Sequence, residues 1–191
     1  MNRKSWPLAA LAALFFGPFV VAVLLYAGRD HLGGFTVMEN PDRELIEYPQ
    51  AMPVQPLVLP DGTVSDPAWA RSRWNLIYAR ISPCGEDCQA ALLRLNQVWL
   101  TLGRDRDRVQ LVFLIPGGEL PVQTPAGFLT GVLDAPGGPE LERLLGQERL
   151  EEGRYFVIDP LGNVILSYPD NAEQDRLQGD LERMLDVSQV G

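Results

Sequence analysis

Hydrophobic and polar positions divide this chain sharply. Residues 6–28 carry no charged side chain and are rich in leucine, valine, alanine and phenylalanine, with Arg3 and Lys4 just before them and Arg29 and Asp30 just after. Some twenty apolar residues, each rising ~1.5 Å in a helix, cross a hydrocarbon core of ~30 Å, so the pattern predicts a transmembrane helix within residues 1–28. The excess of basic residues on the N-terminal side places that end in the cytoplasm and sends the rest of the chain across. Trp6 and Tyr26 stand at opposite ends, where amphipathic rings prefer the headgroup layer. Pro18 is tolerable, because neighbouring groups re-satisfy the freed carbonyl. A cleaved signal peptide is the competing reading. Its apolar stretch is shorter, ~7 to 15 residues, and ends in a small-x-small site that residues 25–28 match poorly.

Beyond the anchor the pattern changes. Residues 29–56 keep no sustained period and contain Pro41, Pro49, Pro53 and Pro56, which predicts an extended linker. Residues 57–191 read as a single domain. Residues 57–64 form a hairpin candidate around Asp61-Gly62. Residues 74–81 make a strong strand, running directly into Ser82-Pro83-Cys84-Gly85-Glu86-Asp87-Cys88. Ala91, Leu92, Leu95, Val98, Trp99 and Leu102 recur at three- and four-residue steps, predicting an amphipathic helix that ends near Gly103. Residues 104–108 are a solvated charged turn, and the continuous apolar run 109–115 is a strand buried on both faces. Leu141, Leu144 and Leu145 suggest a short helix opened by Pro139. Residues 155–158 and 164–168 form a hairpin across Asp159-Pro160-Leu161-Gly162-Asn163. Residues 172–187 close the chain as a helix with Leu177, Leu181, Met184 and Leu185 on one side. Strand, helix, strand, hairpin and helix imply a mixed α/β sheet with helices on both faces.

Charge narrows the functional classes. The formal net charge is -9 and the pI near 4.6. Nucleic acid binding is thereby excluded as an expectation, since lysine and arginine contacts to phosphate dominate it. One histidine, His31, lies outside the domain and leaves no neutral-pH base for a Ser-His or Cys-His nucleophile. Gly117-Gly118 and Gly137-Gly138 lack the rest of a phosphate-loop pattern.

Chemistry therefore concentrates on the two cysteines, Cys84 and Cys88. They fall where the first central strand meets its helix, the edge at which open α/β sheets place ligands and reactive groups. Free N-H groups and the positive end of the helix dipole stabilise a thiolate there. If residues 84–88 are near-helical, the two Cα atoms lie roughly 6 Å apart, within disulfide range. An extracytoplasmic location lets such a bond persist. Glu86 and Asp87 work against a neighbouring thiolate, which predicts thiols less acidic than those of a strong oxidant. A purely structural staple is the alternative. Closing so short a loop contributes about 2 kcal/mol, against nearly 5 for a loop of about 100 residues.

The hairpin at 57–64, the strand from Trp74, the C-x-x-x-C of Cys84 and Cys88 and the run from Tyr155 to Asn163 together resemble the Sco/SenC family, membrane-anchored thioredoxin-fold proteins of cytochrome c oxidase assembly. The similarity covers roughly residues 55–187. The three-residue cysteine spacing is its most specific element, because thioredoxin and its oxidoreductase relatives usually have C-x-x-C. The resemblance implies a thioredoxin-like domain, facing the periplasm from a single-pass inner-membrane anchor. It also implies Cys84 and Cys88 as the working residues, copper held through both of them, and an oxidase subunit or another assembly factor as partner.

The chain departs from the family in three respects. Residues 144–153, where the family carries a copper-ligating histidine, have none. Gly85 and Gln89 replace the proline that follows each cysteine, and no proline precedes Tyr155. His31 reads as an interfacial polar side chain. Met38 and Met52 fall in the linker and Met184 on a core face, so none is expected as a ligand. Two thiolates suit copper(I), which accepts soft sulfur donors, while copper(II) lacks a donor set. The leading expectation is a Sco-like factor that assists oxidase assembly through its dithiol, by thiol–disulfide exchange or transient copper(I) handling. The alternatives are a non-catalytic binding module with a structural disulfide, and a periplasmic thiol reductase for cytochrome c maturation.

Overall fold

A computed structural model describes residues 11, 14–21, 23, 43–117, 119, 126–134 and 137–188. The chain divides into two units, Met1–Glu39 and Asn40–Gly191. In the first, residues 11, 14–21 and 23 are helical and almost all exposed. The rest of the expected anchor lies outside the described residues. Among those described, no helix is long and apolar enough to cross a membrane.

The second unit is built on one six-stranded sheet. Its strands are β1 (Glu44–Ala51), β2 (Trp74–Ala79), β3 (Val109–Pro116), β4 (Leu129–Leu133), β5 (Arg154–Ile158) and β6 (Asn163–Pro169), in the order β1-β6-β5-β2-β3-β4. β2 runs parallel to β3 and antiparallel to β5, which makes the sheet mixed. β2 and β3 are buried almost throughout. Central strands covered on both faces need apolar side chains pointing both ways, which is why their sequences are continuous rather than alternating. Trp74, Leu76 and Tyr78 enter one core cluster, while Ile77 and Ala79 enter the other.

Helix α1 (Glu86–Thr101) and helix α4 (Gln174–Val187) cover the first face through Ala91, Leu92, Leu95, Val98, Leu177, Leu181 and Leu185. Helices α2 (Gly137–Leu145) and α3 (Gln147–Glu152) cover the second through Leu141, Leu145 and Leu150. The charged run after α1 winds into a 3-10 helix, Gly103–Arg108. At the β5–β6 turn the Asp159 carboxylate accepts hydrogen bonds from the N-H groups of Leu161 (2.9 Å) and Asn163 (2.8 Å). Gly162 supplies the positive φ the turn demands, at 90°.

Two of the strands, and helix α3, differ from the sequence expectation. Part of the expected linker is strand β1, which adds to β6 at the sheet edge. Its entry is fixed by charge. The Glu44 carboxylate takes ion pairs from Arg149 and Arg154 and a hydrogen bond from Ser167, while Arg43 pairs with the buried Asp180 at 3.2 Å. An edge strand tolerates Pro49, and its polar residues disguise it as loop. Met52, also assigned to the linker, is buried in the second core cluster.

β4 was not expected at all. Gly131 interrupts its apolar pattern because Leu57 crosses there: a Cβ on Gly131 would come within 2.6 Å of the Leu57 Cβ. This close approach lets Val58 and Val132 exchange backbone hydrogen bonds of 2.9 Å, so the 57–64 turn covers the edge of β4.

The first face closes on a buried polar link, in which the Tyr168 hydroxyl donates to Asp180 at 2.8 Å. Tyr168→Phe removes this hydrogen bond to a buried carboxylate and is expected to cost about 2 kcal/mol in urea unfolding at neutral pH. Burial first, then the hydrogen bond to Asp180, raises the Tyr168 ionisation far above its ordinary value, so the proton is held more tightly in the folded state. Its contribution is therefore complete below pH ~10 and declines above it. The Phe variant should lose less stability than the parent protein on going from pH 9 to pH 11.

Candidate functional site

β2 ends at Ala79 in the middle of the sheet, and the chain passes through residues 80–85 into α1. The turn is tied to α3 by two hydrogen bonds. The Ile81 N-H donates to the Leu150 carbonyl at 2.9 Å, and the Ser82 hydroxyl donates to the Glu151 carbonyl at 2.8 Å. Gly85 is extended (φ -90°, ψ -161°) and caps the helix without a side-chain hydrogen bond, so Cys84 lies just outside α1 and Cys88 in its first turn. The two cysteines form a disulfide, with Cα atoms 5.1 Å apart.

The halves of this bridge have unlike surroundings. Cys88 has no exposed surface and belongs to the cluster of Tyr78, Phe113, Tyr155 and Leu92. Cys84 is only half-buried, packs against the margin of that cluster, and accepts a hydrogen bond from the Gln89 side-chain amide at 3.5 Å. Beneath it Tyr78 stacks at a tilt on Tyr155, ring centroids 5.4 Å apart. The Tyr155 hydroxyl donates to the Ala91 carbonyl at 3.1 Å, and Arg94 donates to the same hydroxyl at 3.1 Å. Burial raises the Tyr155 ionisation well beyond its ordinary range despite the adjacent Arg94. This phenol stays neutral.

Charge enters the site through Arg80 and Asp87. The Arg80 guanidinium meets the Asp87 carboxylate at 2.6 Å and also donates to the Ser82 hydroxyl. That hydrogen bond, joined by one from the Cys88 N-H, holds the Asp87 carboxyl below the usual range. Burial works to lower the Arg80 ionisation, yet its hydrogen bonds and charge interactions with Asp87 and Tyr78 outweigh this and raise it. Both groups are charged at neutral pH.

The remaining sequence candidates do not converge here. His31 and Met38 lie outside the described residues. Met52 is in the cluster on the opposite face of the sheet from Cys88, and Met184 packs at the margin of the α1–α4 face. Residues 144–153 fold as the end of α2 followed by α3, with no imidazole among them. Among the described residues, no three His, Cys, Asp or Glu side chains are grouped to hold a metal. Among these residues, the two sulfurs are joined by no third metal-binding side chain. Sequence reasoning overlooked Arg80, although an arginine directly between a central strand and a cysteine pair was a readable signal.

A central strand running into a helix that begins with a C-x-x-x-C bridge, in a mixed sheet whose last two strands form a hairpin, defines a thioredoxin-like protein. The chain belongs to the family described as "Transmembrane-like, thioredoxin-like, C-terminal domain", whose model matches residues 74–188. No curated protein matches it significantly. Solved structures that share the fold include three Sco proteins. Apo Sco1 from Thermus thermophilus is 20% identical over 78% of this chain and 99% of its own, with a TM-score of 0.58. Copper-bound yeast Sco1 is 14% identical over 73% of this chain and 95% of its own, with a TM-score of 0.57. BsSco, a member of the Sco family of cytochrome c oxidase assembly proteins in which a disulfide switch has been identified, is 14% identical over 76% of this chain and all of its own, with a TM-score of 0.51. At such identities the likeness establishes the fold, which is the one the sequence resemblance implied.

Proposed function

We propose that this chain is a membrane-anchored, extracytoplasmic Sco-like protein that assists cytochrome c oxidase assembly by thiol–disulfide exchange at Cys84 and Cys88. The uncharged segment 6–28 and the positive charges preceding it support the single-pass inner-membrane anchor and the periplasmic side of the domain. The observation that carries the reading is the asymmetry of the bridge, with one sulfur reachable at a strand–helix junction and the other sealed in the core. In the reduced protein the Cys84 thiolate attacks a disulfide on the partner, forming a mixed disulfide and releasing one partner thiolate. The Cys88 thiolate then attacks the Cys84 sulfur, releasing the second partner thiolate and re-forming the bridge. Two electrons pass from this chain to the partner, an oxidase subunit or another assembly factor. The same two soft sulfurs, when reduced, suit copper(I) as transient cargo.

The test is the reduction potential of the full chain in detergent, paired with a copper(I) titration of the reduced form against a C84S/C88S control. A working pair equilibrates with thiol buffers above about -300 mV, whereas structural disulfides in secreted proteins fall below that value. A potential below it would make the bridge a staple, and the chain a binding module without redox chemistry.

A further inference from the structure

We infer that Arg80 is a positioning residue for this bridge: its guanidinium cancels the charge of Asp87 beside Cys88 and thereby sets how readily the disulfide is reduced. The inference rests on the exchange reaction proposed above and identifies what tunes it. Arg80 is the first residue past β2, and its side chain is only 13% exposed. It spans the cysteine turn, from Asp87 in the first turn of α1 to Ser82, which is itself bonded to the end of α3. On its inner side lies the Tyr78 hydroxyl, buried without a hydrogen bond of ordinary geometry and electrostatically coupled to the guanidinium.

The physical consequence has a definite sign. Asp87 is chemically adjacent to Cys88, and a carboxylate there disfavours thiolate, so an uncompensated Asp87 favours the disulfide over the dithiol. Arg80 neutralises it at contact distance. The guanidinium also occupies the wall of the site without competing for protons, since arginine remains charged throughout the working pH range.

Removal of either partner breaks the same ion pair, yet the two removals leave opposite charge. Arg80→Gln leaves Asp87 unopposed, and the equilibrium constant for reduction by a reference dithiol should fall by about threefold to tenfold. Asp87→Asn leaves Arg80 unopposed, and the constant should rise by a similar factor. R80Q/D87N should return near the parent value, and Arg80→Lys should stay within about twofold of it. A tenfold change corresponds to about 30 mV for this two-electron couple.

The experiment equilibrates the full chain and these four variants in detergent with glutathione and with dithiothreitol buffers. A role confined to holding the loop predicts shifts in the same direction for R80Q and D87N, because both lose the same clamp. That outcome, or no shift in either, overturns the inference. The exchange function fails separately, if the parent protein itself lies below the working range while the two single variants still move apart.

Discussion

Gly153→Ala is expected to destabilise the domain by about 3 kcal/mol or more, in urea unfolding followed through the buried tryptophans Trp69 and Trp74. Gly153 joins α3 to β5 at φ 89° and ψ 135°, a region that L-residues enter only under strain. Space is also lacking. A Cβ there would lie 2.2 Å from the Tyr78 hydroxyl oxygen and 2.9 Å from the ring carbon bearing it. Tyr78 has nowhere to retreat, being fully buried between Phe113 and Tyr155, with ring centroids 6.0 Å and 5.4 Å away. Gly179→Ala is the control. Its Cβ meets nothing within 4 Å inside α4, and the exchange of a helical glycine for alanine should stabilise by roughly 0.5 to 1 kcal/mol. If Gly153→Ala costs under about 1 kcal/mol with an unchanged denaturant slope, the contact between Gly153 and Tyr78 is not the constraint described.

Gly153 also shows where sequence and structure part. β2, β3, α1, the β5–β6 hairpin and α4 were legible because each follows a single rule over its length. β2 and β3 are continuous apolar runs, α1 repeats at three and four residues, and the hairpin carries Asp159 and Gly162 where its turn needs them. β1 and β4 were not legible because their reasons are tertiary. β1 is held through Arg43, which meets Asp180 of α4, and through Glu44, which meets Arg149 of α3 and Arg154 of β5, none of them local in sequence. β4 tolerates Gly131 only because Leu57 passes over it. The candidate site divides the same way. The cysteines and their spacing could be read directly, and so could the missing histidine. The unequal burial of the two sulfurs could not, since it depends on how the turn at 80–85 is held against α3.

That unequal burial carries the second large effect, a separation of chemistry from stability between two variants. Cys84→Ser and Cys88→Ser each abolish the bridge, and the chain-entropy estimate for so short a loop gives both the same loss of about 2 kcal/mol. Reactivity should diverge. In Cys88→Ser the remaining thiol, Cys84, is half-exposed at the start of α1, where the helix end favours thiolate. In Cys84→Ser the remaining thiol, Cys88, has no exposed surface and reacts only when the helix end opens. An opening that costs about 3 kcal/mol slows labelling by roughly a hundredfold, so native-state alkylation of Cys88→Ser should be faster than that of Cys84→Ser by at least this factor. In membranes the difference becomes a trap. Cys88→Ser can form the mixed disulfide but has no second thiolate to resolve it, and should accumulate a covalent adduct with its partner that reductant dissolves. Cys84→Ser should accumulate none. Equal labelling rates would show that both sulfurs are reachable, and adducts forming preferentially through Cys88 would reverse the assigned order of attack.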